Sequence, residues 1–213
     1  MMILRSAAPS PFGRKVQIAL SLLGIDDVKI EPTDTMDAAN SLRQQNPLGK
    51  IPVLITEDGA PYYDSRVILE YLDDRAGGGK IIPRAPAQRF PALCLQALCD
   101  GMIDASILAV YEGRWRAPEK HEPKWLEHQA GKVERALAFL EAARRRSVLT
   151  PRFRTWGRSR LPVRSAIAIS ALRERGARII RGWSRGSMSS RRACRPLLQP
   201  RSRADEPRTR RLE

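Results

Sequence analysis

The 213-residue chain predicts an α/β unit followed by an all-α segment, and three observations carry that prediction. Apolar runs at residues 2–4 and 28–30 flank a helical pattern that a proline opens and a glycine closes, giving a β-α-β start. A strand-strand-helix group follows and ends near Asp74. Beyond a Gly- and Pro-rich stretch, apolar residues recur with helical period over residues 90–111 and 123–143.

Taken in order, Met2, Ile3 and Leu4 make a run short enough to be a buried strand. In Pro9-Ser10-Pro11 the second proline suits the first turn of a helix, where its missing N–H would have had no partner in any case. Val16, Ile18, Ala19, Leu20, Leu22 and Leu23 then form a broad apolar face, and Gly24 stops it. Residues 34–45 are polar and helix-compatible until Asn46-Pro47 breaks the pattern, and residues 51–55 read as the third strand. Glu57-Asp58-Gly59 is a hairpin signal, and Pro61-Tyr62-Tyr63 a short edge strand that tolerates its proline. After Asp64-Ser65, the residues Val67, Ile68, Tyr71 and Leu72 sit at helical spacing. Gly77-Gly78-Gly79, Pro83 and Pro86 mark a linker over residues 77–88. In the last segment Trp125, Leu126, Val133, Leu137 and Leu140 are expected to face the core.

The net charge of +15 would ordinarily point to nucleic acid or an anionic membrane. Its location removes that inference for most of the chain. Residues 1–143 carry 17 Lys and Arg against 19 Asp and Glu, whereas residues 144–213 carry 21 basic and 4 acidic groups. Cys94, Cys99 and Cys194 have no Cys-x-x-Cys spacing, so neither a disulfide framework nor a zinc site is expected. His121 and His128 lack a third ligand at metal spacing, and Gly77-Gly78-Gly79-Lys80 lacks the full phosphate-loop pattern. The opening residues are too few for a signal-peptide apolar region, and no apolar stretch is expected to reach the ~18 residues that span a bilayer. A soluble, cytoplasmic protein is expected.

Three runs carry chemistry: Ser10-Pro11-Phe12-Gly13-Arg14-Lys15-Val16, then Asn46-Pro47-Leu48-Gly49-Lys50-Ile51-Pro52-Val53-Leu54, then Asp64-Ser65-Arg66-Val67-Ile68-Leu69-Glu70-Tyr71-Leu72. In this order they resemble the glutathione-binding half of a soluble, serine-type glutathione S-transferase. The resemblance covers residues 2–143 and implies a thioredoxin-like domain at 1–76, the linker, and the first helices of a helical domain at 89–143. It also implies that Ser10 is the catalytic hydroxyl holding the glutathione thiolate, with Ser6 as the alternative; Ser10 also reads simply as a helix cap. Phe12 belongs to the same motif. Pro52 matches the family's cis-proline, Val53 would pair through its main chain with the cysteinyl part, and Asp64 and Ser65 would hold the γ-glutamyl group. Lys50 reaches toward the glycine carboxylate or is simply solvated. The family usually has Glu where Asp64 stands. Met102, Tyr111 and Trp115 are the candidate apolar walls for the second substrate, and equally candidate core or surface residues. The implied co-substrate is glutathione with no metal, the implied partner a small-molecule electrophile, and the implied assembly a homodimer across the helix from Ser65 and the first long helix.

Every basic residue after Ala143 is Arg, and none is Lys. GC-rich DNA read out of frame overproduces Arg, and permitted codons allow a shifted frame from Ile179 to read His-Pro-Arg-Leu-Val-Ala-Trp-Phe-Asp-Glu-Phe, similar to a last helix of the family. From Thr155 the same frame reads Val-Gly-Gln-Ile-Ala-Leu-Ala, similar to its central buried helix. A single slip near Arg144 accounts for both. Residues 144–213 are therefore expected to be an Arg-rich, largely disordered tail with a local helix at 166–169, leaving the helical domain truncated and activity impaired. Two other classes stay open: a non-catalytic interaction module on the same fold, and a nucleic-acid binder that uses the basic tail.

Overall fold

The computed structural model of the chain describes residues 1–145. Strand β1 (Met2–Ser6) leads through Pro9-Ser10 into helix α1 (Pro11–Leu23), and β2 (Val28–Pro32) returns parallel to β1. Pro11 is the first helical residue, and Gly24, at φ 68°, closes the helix in the left-handed conformation while its N–H meets the carbonyl groups of Leu20 and Ser21. A single helical turn, α2 (Leu42–Gln45), precedes β3 (Val53–Ile55) and β4 (Pro61–Tyr62), and α3 (Ser65–Arg75) closes the α/β unit. The sheet order is β2-β1-β3-β4, with β3 antiparallel to both β1 and β4.

The alternation along β1 buries Met2, Leu4 and Ser6 on one face. Against that face pack Val16, Ala19, Leu20 and Leu23 of α1, Ile68, Leu69 and Leu72 of α3, and Ile81 and Ile82 of the following segment. That segment is tied down by Asp73, whose buried carboxylate accepts the backbone N–H groups of Gly79 at 2.8 Å, Lys80 at 2.9 Å, Ile81 at 2.7 Å and Ile82 at 3.4 Å. Two long helices follow, α4 (Pro86–Trp115) and α5 (Pro123–Arg145), joined through a short 3-10 turn at Pro118–Lys120. Met102 and Ala105 of α4 meet Val133 and Ala136 of α5 in a second core.

Four expectations need correction. Trp125 and Leu137 of α5, expected to face the core, are exposed, and the helix packs through Val133, Ala136 and Leu140 instead. Residues 34–45 are mostly turn, because the Asp34, Asp37 and Asn40 side chains accept from the N–H groups of Met36, Ala39 and Leu42 and divert the backbone from a helical ladder. The linker is shorter than 77–88, since Pro86 occupies the first turn of α4. And α4 is, by length and composition, apolar enough to cross a bilayer, contrary to the expectation that no such stretch exists; here it packs against α5 and carries a buried, paired Asp100. The readings for the tail beyond residue 145, including its shifted frame, disorder and local helix, and the pairing state of Cys194, lie outside the described residues.

Candidate functional site

Topology gathers the three sequence motifs at one end of the sheet. Arg5 is opposite Val53 in the β1–β3 ladder and Leu54 is opposite Tyr62 in the β3–β4 ladder, so the end of β1, the start of β3 and the end of β4 coincide. The helices that follow β1 and β4 therefore begin at this same edge. Their free N–H groups and dipoles make the edge favourable for an anionic ligand.

Ser10 is the N-cap of α1: its Oγ accepts from the Gly13 N–H at 3.0 Å, and the residue is half-buried. A hydroxyl that accepts in this way still has its own proton to donate. Ser6 is in a different position. It is 1% exposed beneath the start of α1, accepts from Gln17 Nε2 at 3.4 Å, and faces Gly13, where an added Cβ would overlap its Oγ. Phe12 is half-buried one residue beyond Pro11.

The Ile51–Pro52 peptide is cis, and Pro52 and Val53 are both buried. The preceding turn is knotted by Asn46, whose Nδ2 donates to the Lys50 carbonyl at 2.8 Å while its Oδ1 accepts from the Leu48 N–H at 3.1 Å. Lys50 itself is exposed. Asp64 is exposed and caps α3 through the Arg66 N–H at 2.9 Å, and Ser65 beside it is buried.

Below Ser65 lies a charge network that sequence reading missed. Lys15 Nζ, on a side chain 5% exposed, donates to Asp100 Oδ1 at 2.9 Å and Oδ2 at 3.0 Å, and stands 3.4 Å from Ser65 Oγ. Arg66 Nε donates to Asp100 Oδ2 at 3.0 Å, and this carboxylate holds the guanidinium pKa above its usual value. A signal existed in the sequence: Lys15 falls within the buried stripe of α1 and so demands an anion. Its partner, 85 residues away, could not be named from spacing. Asp104, one turn further along α4, has its carboxyl pKa raised by burial and by the charge of Asp100.

The chain as a whole has counterparts among solved structures. A glutathione transferase family member from Pseudomonas fluorescens Pf-5, solved with bound glutathione, is 36% identical and superposes over 87% of this chain and 93% of its own with a TM-score of 0.70. This chain belongs to the glutathione S-transferase family. The family's N-terminal domain, described as "Glutathione S-transferase, N-terminal domain", matches residues 4–80. A second glutathione S-transferase, from Methylobacillus flagellatus KT and also with glutathione bound, is 31% identical over 87% of this chain and 89% of its own, with a TM-score of 0.70. Among curated proteins, the uncharacterized GST-like protein YibF of Escherichia coli K12 is 37% identical over 132 residues, 62% of this chain. Glutathione S-transferase U7 of Arabidopsis thaliana is 33% identical over 47% of it. The chain spans 64% and 44% of the lengths of those two relatives.

The candidate second-substrate residues are not brought together. Met102 is buried in the α4–α5 core, whereas Tyr111 and Trp115 are exposed, Tyr111 with Arg114 over its ring at 5.5 Å. Nine residues along a helix turn through about half a circle beyond whole turns, so Met102 and Tyr111 occupy opposite faces of α4. His121 Nε2 is 3.1 Å from the Arg116 carbonyl and His128 stacks on Trp125. No group of three or more His, Cys, Asp or Glu side chains suited to a metal occurs among the described residues.

Proposed function

We propose that the chain binds glutathione at the sheet edge and activates its thiol for attack on an electrophilic small molecule, with Ser10 as the catalytic hydroxyl. The observation that carries this reading is the contrast between the two serines. Ser10 is only half-buried, lies at the positive end of α1 and keeps a proton to give, whereas Ser6 is sealed behind Gly13. A hydrogen bond from Ser10 to the sulfur favours the thiolate over the thiol, whose free value is about 8.5. The thiol proton passes to solvent, the sulfur lone pair forms the new bond to the electrophilic carbon, and the leaving group departs with its electron pair. Phe12 flanks this turn, Val53 pairs with the cysteinyl backbone, Ser65 and the N–H groups of α3 receive the γ-glutamyl carboxylate, Asp64 orients that helix end, and Lys50 meets the glycine carboxylate. Lys15, neutralised by Asp100, donates to the buried Ser65 Oγ at 3.4 Å and so braces the N-terminus of α3 that receives that carboxylate.

The reading extends to a cytoplasmic homodimer joined through α3 and α4, supported by the exposed stripe Phe90, Leu108, Tyr111 and Trp115, at spacings that keep one helical face. Light scattering tests the dimer. A slip in the reading frame near Arg144 is tested by resequencing the coding DNA. For the site, the decisive comparison is the ultraviolet titration of bound glutathione thiolate in Ser10→Ala and Ser6→Ala. Ser10→Ala is expected to raise the bound thiol pKa by more than about one unit, equivalent to a tenfold loss of thiolate below the pKa. Full thiolate in Ser10→Ala together with its loss in Ser6→Ala would transfer the role to Ser6. Retention of the chain on immobilised glutathione without turnover would favour a binding module.

A further inference from the structure

Arg5 is the charged residue of the central strand β1, on the face opposite Met2, Leu4 and Ser6. Its guanidinium, on a side chain 14% exposed, donates in three directions: Nη1 to Glu31 Oε1 at 2.6 Å, Nη2 to Ser41 Oγ at 2.8 Å and Nε to Gln45 Oε1 at 3.0 Å. The acceptors belong to β2 and to the two ends of α2. That helix is a single turn whose one buried side chain is Leu42, too short to hold itself in place. Gln45 is followed directly by Asn46, which ties the turn through residue 50 that delivers Pro52 and Val53. Arg5 is also the ladder partner of Val53. The same residue thus reaches the start of β3 twice, across the sheet and through α2 and Asn46.

We infer that Arg5 is a positioning residue for glutathione: it fixes α2 and the Lys50 turn, and so sets affinity for the glycyl and cysteinyl parts without touching thiolate formation at Ser10. The inference rests on the glutathione site proposed above. Separation of the two roles follows from the fold, because Ser10 is held by the α1 N-terminus, which makes none of these bonds. Lysine is no equivalent, since one nitrogen on a flexible stem does not reproduce a planar fork that meets three acceptors at once.

The test uses the full chain, with glutathione binding followed by calorimetry and turnover measured with an aryl halide electrophile. Losing these charge-assisted bonds in Arg5→Met is expected to raise the glutathione Kd and KM about tenfold. The kcat at saturating glutathione should stay within about twofold, and the bound-thiol pKa within about 0.3 unit, the same twofold expressed as an ionisation constant. Arg5→Lys should fall between wild type and Arg5→Met. Gln45→Ala should weaken binding in the same direction and be less than additive with Arg5→Met, as expected for residues sharing one bond. If Arg5→Met does not fold, Arg5→Lys and Gln45→Ala carry the test. Unchanged Kd in the folded variants, or a fall in kcat at constant KM, would overturn the positioning role while leaving the site intact. No glutathione heat from the wild type would overturn the site reading, and this inference with it.

Discussion

Removing Asp100 should destabilise the chain more than removing Lys15, although the two form one ion pair. Both side chains are almost wholly buried, at 2% and 5% exposure, so neither charge can turn to water when its partner goes. Asp100→Asn removes the negative charge and leaves the Lys15 ammonium with one neutral amide oxygen and the Ser65 hydroxyl at 3.4 Å, while Arg66, 54% exposed, simply hydrates. An uncompensated buried charge costs about 3–5 kcal/mol. In Lys15→Met the Asp100 carboxylate still accepts from Arg66 Nε at 3.0 Å, and the methionine fills much of the lysine's volume, so a cost of about 1–2 kcal/mol is expected. The double variant Lys15→Met with Asp100→Leu should recover most of the loss, because no charge is then stranded. Urea unfolding of the full chain, followed by tryptophan fluorescence, measures all three. If Lys15→Met proves as damaging as Asp100→Asn, charge compensation through Arg66 is not what balances this site.

Cys99 and Cys94 should differ in reactivity. Burial, then the neighbouring Asp100 charge, pushes the Cys99 thiol from 9.0 up to about 11, whereas Cys94 is exposed. Iodoacetamide at neutral pH should therefore alkylate Cys94 in the native chain and spare Cys99, as read by peptide mass mapping; equal labelling would contradict the burial. Because the folded value is the higher one, the stability it contributes is complete below pH 9.0 and declines as pH rises toward about 11, which urea midpoints across that window would register. Asp73→Asn should cost about 2–3 kcal/mol, since the amide keeps one oxygen and presents its N–H₂ to donors the carboxylate satisfied. Hydrogen exchange should quicken at residues 79–82, and unchanged protection there would refute the role of the carboxylate.

Much of the fold was legible because the signals were local. Pro11 and Gly24 bracket α1, Glu57-Asp58-Gly59 turns the hairpin, and the apolar spacing from Val67 to Leu72 writes α3. The failures were local competition and distant pairing. Asp34, Asp37 and Asn40 look tolerable in a helix by composition, yet their side chains capture backbone N–H groups and leave one turn. At the site, Ser10, Pro52 and Ser65 stood out through their motifs. Arg5, Lys15 and Asp100 did not, because each matters through partners 26 to 85 residues away. For Met102 the sequence left wall and core open alike, and its register on α4 puts it on the α5 side, away from Tyr111.

The pairing of Lys15 with Asp100 also limits how this chain can be recombined. A boundary drawn after α3 looks clean in sequence, but it would separate a cation from the anion that makes its burial tolerable. Transplanting residues 1–76 onto another helical partner would succeed only if that partner supplied an acid at the same depth, or if Lys15 were replaced by an apolar residue. Inheritance of the two halves is thereby coupled through a single carboxylate.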